Sequence, residues 1–454
     1  MDLSQKRITV LGLGKSGLAA ARWLDGEGAR VTASEIRRRE ELDPEFLQAI
    51  SGLGIQLETG GHREETLLGS DMIVISPGVP ADLPVLKKAA AKGIPILGEM
   101  ELASRLIRVP VVAVTGTNGK STVTEFLGSV IRAAGFRVFV GGNLGTPFME
   151  CVAQARSLDY AVVEVSSFQL DTAETFCPQV AVLLNITPDH LDRYPGYGAY
   201  EESKLRIFQN QGRGQFAVLN DEDPRLAAFH PKGGATVLRY GIERREHRQA
   251  WMEGKRLIAA VPGKDLVRLD LHRFRLQGRH NLENLMAVVL AGLALGIDRS
   301  VLQNGIDRFP GLPHRIEWVG DVRGIAFYDD SKATNVDAAL RSVLSFDRPV
   351  ILIAGGRHKG ADYAPLVEAA QGRLRKAVFL GEARSLLAAS FEGRIPFTLA
   401  EDMRDAVAQA FAAARKGDAV LLAPACSSFD MFIDYAHRGR VFREAVEGLR
   451  GRAE

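Results

Sequence analysis

Cysteine is scarce, and what there is forms no pattern. Cys151, Cys177 and Cys426 are the three thiols in 454 residues, and no C-x-x-C pair occurs. That excludes a disulfide framework and a cysteine-built zinc site, and a reducing, cytoplasmic setting is expected. Long apolar runs are missing too: no stretch of about 20 apolar residues is present, so no membrane association is expected. The start, MDLSQKRITVLGLGKSG, enters a strand pattern within a few residues, and no secretory leader is expected. Surplus charge of either sign is lacking. Lys and Arg number 57 against 55 acids, a formal net charge of +2, so nucleic acid is not an expected partner. Any anionic ligand must therefore be held by a local cluster.

What is there is ordinary soluble material, 46% hydrophobic and 25% charged. The length suggests about three domains, at roughly 150 residues each. Short Val/Ile-rich runs alternate with longer Ala/Leu-rich segments of helical period, the signature of βαβ units around parallel sheets. Strands are expected at Ile8, Arg30, Met72, Val109, Tyr160, Val180, Val350, Ala377 and Ala419. A helix over Glu99 to Arg108 running to Pro110 sets one boundary, and Phe309-Pro-Gly-Leu-Pro-His314 sets another. The expected domains are 1–107, 108–310 and 311–454. The polar stretch from about 230 to 275 reads as a β-rich excursion within the middle domain.

Five groups of residues carry chemistry. Gly12-Leu-Gly14-Lys-Ser16-Gly17 follows a strand and opens a helix, with Glu35 after the next strand. Two readings stand: a structural turn, or a nucleotide-diphosphate site in which the acid can bind a ribose. Ser76-Pro77-Gly78, at another strand end in the same domain, reads as a second candidate anion-binding turn. Thr115-Gly116-Thr117-Asn118-Gly119-Lys120-Ser121-Thr122 lies between a strand and a helix and reads as a phosphate loop: backbone N–H groups and Lys120 for phosphate, Ser121 or Thr122 for magnesium. It departs from G-x-x-x-x-G-K-[ST], because Val114 stands where the first glycine belongs. Glu164 ends the following strand and His190 lies in the segment after the next; the pair suits a magnesium site, where a lone histidine would more often be a structural hydrogen-bonder. Asn281 and Asn284, spaced i, i+3 at a helix start, either cap the helix or read a base edge. The last third contributes Arg315, Asp330, Lys332, Thr334, Lys359 and Ser428, a set able to receive phosphate and carboxylate.

Together, TGTNGKST, EVSSFQLD, NITPDHLDRY, YEESKLRIF, GRHNLEN, LPHRIE, DDSKATN and ACSSFDMF, in this order, resemble the Mur ligase family over essentially the whole chain. The resemblance accounts for the loop, whose family form is the shorter G-T-x-G-K-[ST]. It implies an α/β chain of three domains: a Rossmann-like amino-terminal domain for a UDP-sugar, a central P-loop-type ATPase domain, and a Rossmann-like carboxyl-terminal domain for an amino acid. SSFQL, DSKATN and PACSSFD are most similar to the branch that joins D-glutamate to UDP-N-acetylmuramoyl-L-alanine with ATP and magnesium at two sites.

Carried over by resemblance, Gly116 to Thr122 bind ATP, with Lys120 on its β and γ phosphates. Ser121, Glu164, His190 and Lys204 lie at the metal sites. Asn284 meets adenine, Arg315 the phosphates and Asp330 the ribose. Lys332, Thr334, Lys359, Ser428 and Tyr435 lie near D-glutamate, and Tyr435 stands where the family often has Phe. Asn143 contacts the muramoyl substrate, and Ser16, Ser76 and Gly78 its UDP end, with Ser34 to Arg37 on the uridine side. Lys120, His190, Lys204 and Lys332 form the catalytic set, with Lys204 matching a lysine that the family carbamylates. A monomer is expected, whose third domain closes on the loop.

Overall fold

The computed structural model describes residues 2–143, 145–190, 193–276 and 278–450. Among them, three sheets follow one another along the chain. The first has five parallel strands in the order Gln56–Thr59, Arg30–Glu35, Arg7–Leu11, Met72–Ile75, Ile96–Gly98. Its order reverses at Arg7–Leu11, and a crevice opens at the carboxyl end of such a switch point. Gly12 follows that strand with φ +78°, and a Cβ on Gly17 would lie 1.9 Å from the Gly12 carbonyl oxygen. Glycine is obligatory at both positions for the helix Lys15–Gly26 to start this close to the strand.

The second sheet has nine strands. Val111–Thr115 lies at its own switch point, paired in parallel with Tyr160–Glu164 and Val180–Leu183, so that Val114 opposes both Glu164 and Val182. The helix Lys120–Ala133 buries Val123, Phe126, Leu127, Val130 and Ile131 against this sheet. Full burial of side chains of this kind is worth about 1.5–3 kcal/mol each. The loop between strand and helix is thus anchored on both sides by core. The expected excursion is the antiparallel edge Ala250–Glu253, Arg256–Ala259, Val267–Asp270.

The third sheet runs Glu317–Val322, Ile325–Asp329, Ala419–Leu422, Val350–Gly355, Leu374–Leu380, Phe397–Leu399, antiparallel only in its first pair. Its helix Val336–Leu344 faces the central domain, and its Asn335 cap bonds the Ala338 N–H.

The helix Glu99–Leu106 fastens the first sheet to the second. Its buried Glu101 carboxylate accepts from the N–H groups of Glu174, Thr175 and Phe176, from the Thr175 hydroxyl and from Arg105. Beside it, Gly98 packs so closely that a Cβ would stand 2.1 Å from the Thr172 hydroxyl.

Candidate active site

A cleft of about 490 Å³ lies between the first two sheets, lined by Gly12 to Ser16, Glu35, Ile36, His62, Ser76 to Val79 and Asn143. Ser16, Ser76, Gly78 and Asn143, read separately from the sequence, therefore share one wall. The Ser76 hydroxyl donates to the Gly12 carbonyl at 2.6 Å and fixes one glycine turn against the other. Glu35 is a brace as well as a wall: it accepts from Leu13 N–H at 2.9 Å and from the Arg37 guanidinium at 3.1 Å. Burial pushes its carboxyl up, but these bonds outweigh that and hold it below the usual carboxylate range. Ile36 is 68% exposed and adds apolar surface to the cleft lining.

Asn143 joins this cleft to the phosphate loop, donating to Glu164 Oε1 at 2.8 Å. The other oxygen, Glu164 Oε2, is buried without a hydrogen-bond partner. Burial raises the Glu164 carboxyl, yet Lys120, the Asn143 bond and the nearby Ser121 hydroxyl overcome it and keep it ionised. A buried, ionised carboxylate with a spare oxygen beside a serine hydroxyl is a hard-oxygen donor set that fits magnesium.

Lys120 and Lys204 both donate to the Gly116 carbonyl at 2.9 Å, and Lys120 also to Thr117 O. Burial, with Lys120 nearby, drives the Lys204 ammonium well below its ordinary value. Burial likewise lowers His190, and Lys359, Lys120 and Lys204 add to this against Asp189, so its imidazole is neutral.

The third domain brings further charged groups against this region. Lys332 lies 3.7 Å over the Tyr435 ring, and burial with Arg315 brings its ammonium down to about 8. Lys359 reaches Asp189 at 3.4 Å. Arg315 stands between His314 and Ile316, both left-handed (φ +61° and +48°), a strained turn pinned by the His314–Asp329 bond at 2.6 Å. Arg315, Asp330 and Lys332 line a pocket with Gly119, Thr122, Asn281 and Asn284. Asp330, buried and bonded to Ser342, is pushed up to about 6 by burial. Gly278 caps the helix that carries the two asparagines, so neither serves as its cap; they are linked to each other at 3.4 Å. Thr334 and Ser428 lie in the loops that follow Lys332 and Cys426, Ser428 being buried.

Three family models match the chain: "Mur ligase MurD-like, N-terminal domain" over residues 6–98, "Mur ligase middle domain" over 114–292, and "Mur ligase, glutamate ligase domain" over 314–426. The UDP-N-acetylmuramoylalanine--D-glutamate ligase of Geotalea daltonii is 42% identical over 451 residues, 99% of both chains. The chain belongs to the Mur ligase family. The protein of the same name from Desulfosudis oleivorans is 43% identical over 99% of this chain and 98% of its own. Among solved structures, the fold matches a pseudomurein peptide ligase type C from Methanothermus fervidus (TM-score 0.62, 22% identity, 98% of this chain and 100% of that one). It also matches the MurF ligase of Thermotoga maritima in complex with ADP (TM-score 0.60, 18% identity, 99% and 96%).

For this Mur ligase the sequence reading missed several polar residues that brace the candidate site. Asp189 binds Asn335 and Lys359, Asn185 brackets the backbone of Asn118, and His62 bonds Ser34 at 2.8 Å. Asp189 and Asn185 lie inside NITPDHLDRY, where a polar run after a buried strand was the available signal. Leu191 and Asp192 of that motif lie outside the described residues, as does Leu144. Nothing local marked His62, which reaches the cleft from a loop after the edge strand Gln56–Thr59. Among the described residues no helix is long and apolar enough to cross a membrane.

Proposed function

We propose that the chain joins D-glutamate to UDP-N-acetylmuramoyl-L-alanine with ATP, through an acyl phosphate, in peptidoglycan precursor synthesis. The full-length likeness to ligases bearing that name supports the substrates. The observation that carries the chemistry is one electrostatic neighbourhood: Lys120, Lys332, Lys359 and Arg315 gather around the ionised Glu164 and Asp189, between the amino-terminal cleft and the third domain. Such a concentration of cations suits a nucleoside triphosphate and two carboxylate substrates.

The working division is 1–107 for the UDP-sugar, 108–310 for ATP and 311–454 for the amino acid. The substrate carboxylate attacks the γ phosphorus, ADP leaves, and an acyl phosphate forms. Gly116 to Thr122 cradle the phosphates, with Lys120 and Arg315 offsetting their charge; Asn284 faces the base and Asp330 the ribose. Lys332, Thr334, Lys359, Ser428 and Tyr435 orient D-glutamate, whose amine attacks the acyl carbon. Phosphate then departs from the tetrahedral intermediate as the amine gives up its proton, and the neutral His190 is available to hydrogen-bond at that centre. Asn143, with Ser16, Ser76 and Gly78, holds the UDP-muramoyl substrate. Ser121, Glu164, His190 and a carbamylated Lys204 would hold magnesium, which would supply charge neutralisation for the phosphates. Positioning and electrostatics provide most of the catalysis in such transfers.

The test is incubation with UDP-N-acetylmuramoyl-L-alanine, ATP and Mg²⁺ plus one amino acid at a time, following phosphate release and product mass. D-glutamate should give the amide. Product with L-alanine or a diamino acid, and none with D-glutamate, would move the chain to another branch.

A further inference from the structure

Across the boundary between the central and third domains, one side chain of the phosphate loop is held from both directions. The Asn118 backbone is fixed from its own domain: its N–H donates to Asn185 Oδ1 at 2.9 Å, and its carbonyl accepts from Asn185 Nδ2 at 3.1 Å. Its side-chain amide is held from the third domain: Nδ2 donates to Asp337 at 2.7 Å, and Oδ1 accepts from Asn335 Nδ2 at 3.3 Å. Asn335 Nδ2 also reaches Asp189 at 3.1 Å, while its Oδ1 is occupied as the cap of the helix Val336–Leu344. Asp337 is braced by Arg341 at 2.9 Å, and Arg341 extends to Glu283 at 3.8 Å. Asn118 sits between Thr117 and Gly119, with Gly116 (φ +149°) and Gly119 (φ +88°) leaving the backbone on either side little conformational restriction of its own.

We propose that Asn335 and Asp337 are positioning residues, gripping the Asn118 amide so that the phosphate loop takes its reactive geometry when the third domain is docked. This rests on the ligase reading above. A ligase of this design gains from such coupling, because an acyl phosphate made before the amino-acid domain is in place would be lost to water. An amide held at both ends is an economical sensor. Its oxygen needs a donor and its nitrogen an acceptor in fixed positions, and the seated terminus of the helix Val336–Leu344 offers both, Asn335 Nδ2 and the Asp337 carboxylate.

The test is a double-mutant cycle on the full chain with Asn118→Ala, Asp337→Ala and the pair. Each single change should lower kcat about tenfold with KM for ATP within about twofold, and the pair should fall about tenfold, not about a hundredfold. Asp337→Asn keeps an acceptor for Asn118 Nδ2 and should retain activity within about threefold of wild type. A second arm uses small-angle scattering with Mg²⁺ and a non-hydrolysable ATP analogue. Asp337→Ala and Asn335→Ala should shift the chain toward a larger radius of gyration than wild type. Multiplicative losses in the cycle, a rise in KM for ATP matching the loss in kcat, or unchanged compaction in both variants would each overturn the proposal. The scattering arm needs no amino acid, so a failure of D-glutamate as substrate leaves it intact and separates the two readings.

Discussion

Lys204 Nζ and the Gly116 carbonyl oxygen are 2.9 Å apart, and the lysine is buried with only 2% of its surface exposed. Burial, with Lys120 nearby, disfavours its ammonium and lowers it well below its ordinary value, which favours the unprotonated, nucleophilic amine, the form that takes up carbon dioxide. Addition of the amine nitrogen to the carbon of CO₂, with loss of one proton, gives a carbamate that can replace a donor by anionic oxygens. Lys204→Ala should cost about 10- to 100-fold in turnover, the usual range for loss of a group that supports a metal site. Short carboxylic acids should restore part of it. Carbon-13 NMR after equilibration with labelled bicarbonate should show one carbamate signal, and its absence from the active protein would sink the assignment.

Lys332 sets an alkaline limit. Its ammonium, lowered to about 8 by burial and by Arg315, loses its charge as pH rises through that value in the free protein. The profile of kcat/KM should therefore fall above about pH 8, because that parameter reports groups in the free enzyme. Lys332→Arg should abolish this limb, since a guanidinium stays charged there. A limb that persists unchanged in the variant belongs to another group.

Glu99 and Glu101, two residues apart on one helix, should respond oppositely to neutralisation. Glu101 is held below the usual range: burial opposes its charge, but Thr175, Arg105 and three backbone N–H groups more than compensate. Its contribution is fully present above its unfolded value near 4.5 and is lost as pH falls through the lower folded value. Glu101→Ala should cost about 3 kcal/mol in urea unfolding at pH 7, because partners are left buried and unpaired.

Glu99 keeps one bond, from Met149 N–H at 2.7 Å, and its Oε2 has no partner. Burial pushes it up to about 7, so its charge becomes a growing liability as pH rises from 4.5 to 7. Glu99→Gln should stabilise by about 1–2 kcal/mol at pH 8, with the gain vanishing below pH 4.5. Paired urea titrations at the two pH values check both signs.

His62 should matter to one substrate alone. It is lowered by burial and therefore neutral at pH 7, with one ring nitrogen bonded to Ser34 and the ring facing the cleft beside Ile36. His62→Ala should raise KM for the UDP-substrate about five- to tenfold, the value of one hydrogen bond, while KM for ATP and amino acid stay put. Equal changes in all three would point to a general loosening of the fold.

The buried strands were legible because their Val/Ile runs are continuous: Met72–Ile75, Val180–Leu183 and Ala419–Leu422 are buried at every position. Gln56–Thr59 and Phe397–Leu399 escaped notice, being short edge strands with mixed burial that leave little apolar pattern to read. Val114 had looked like a missing glycine. It is a fully buried strand residue paired with Glu164, so the strand runs on where the longer loop would begin. Residues within one motif, such as Lys120 and Ser121, could be placed from their neighbours. The Asn118–Asp337 bond could not, because it joins positions 219 residues apart and depends on how two sheets meet.

Because the Glu101 carboxylate and the Gly98–Thr172 contact weld the first sheet to the second, those two sheets form one bench, and the third domain meets it as a separate arm. On the proposed ligase reading, the bench carries the carboxylate to be activated and the arm brings what is added to it. Over evolutionary time, such a chain can change the amino acid it accepts by redrawing the arm alone. The bench, where a shift of an ångström would spoil the chemistry, need not follow.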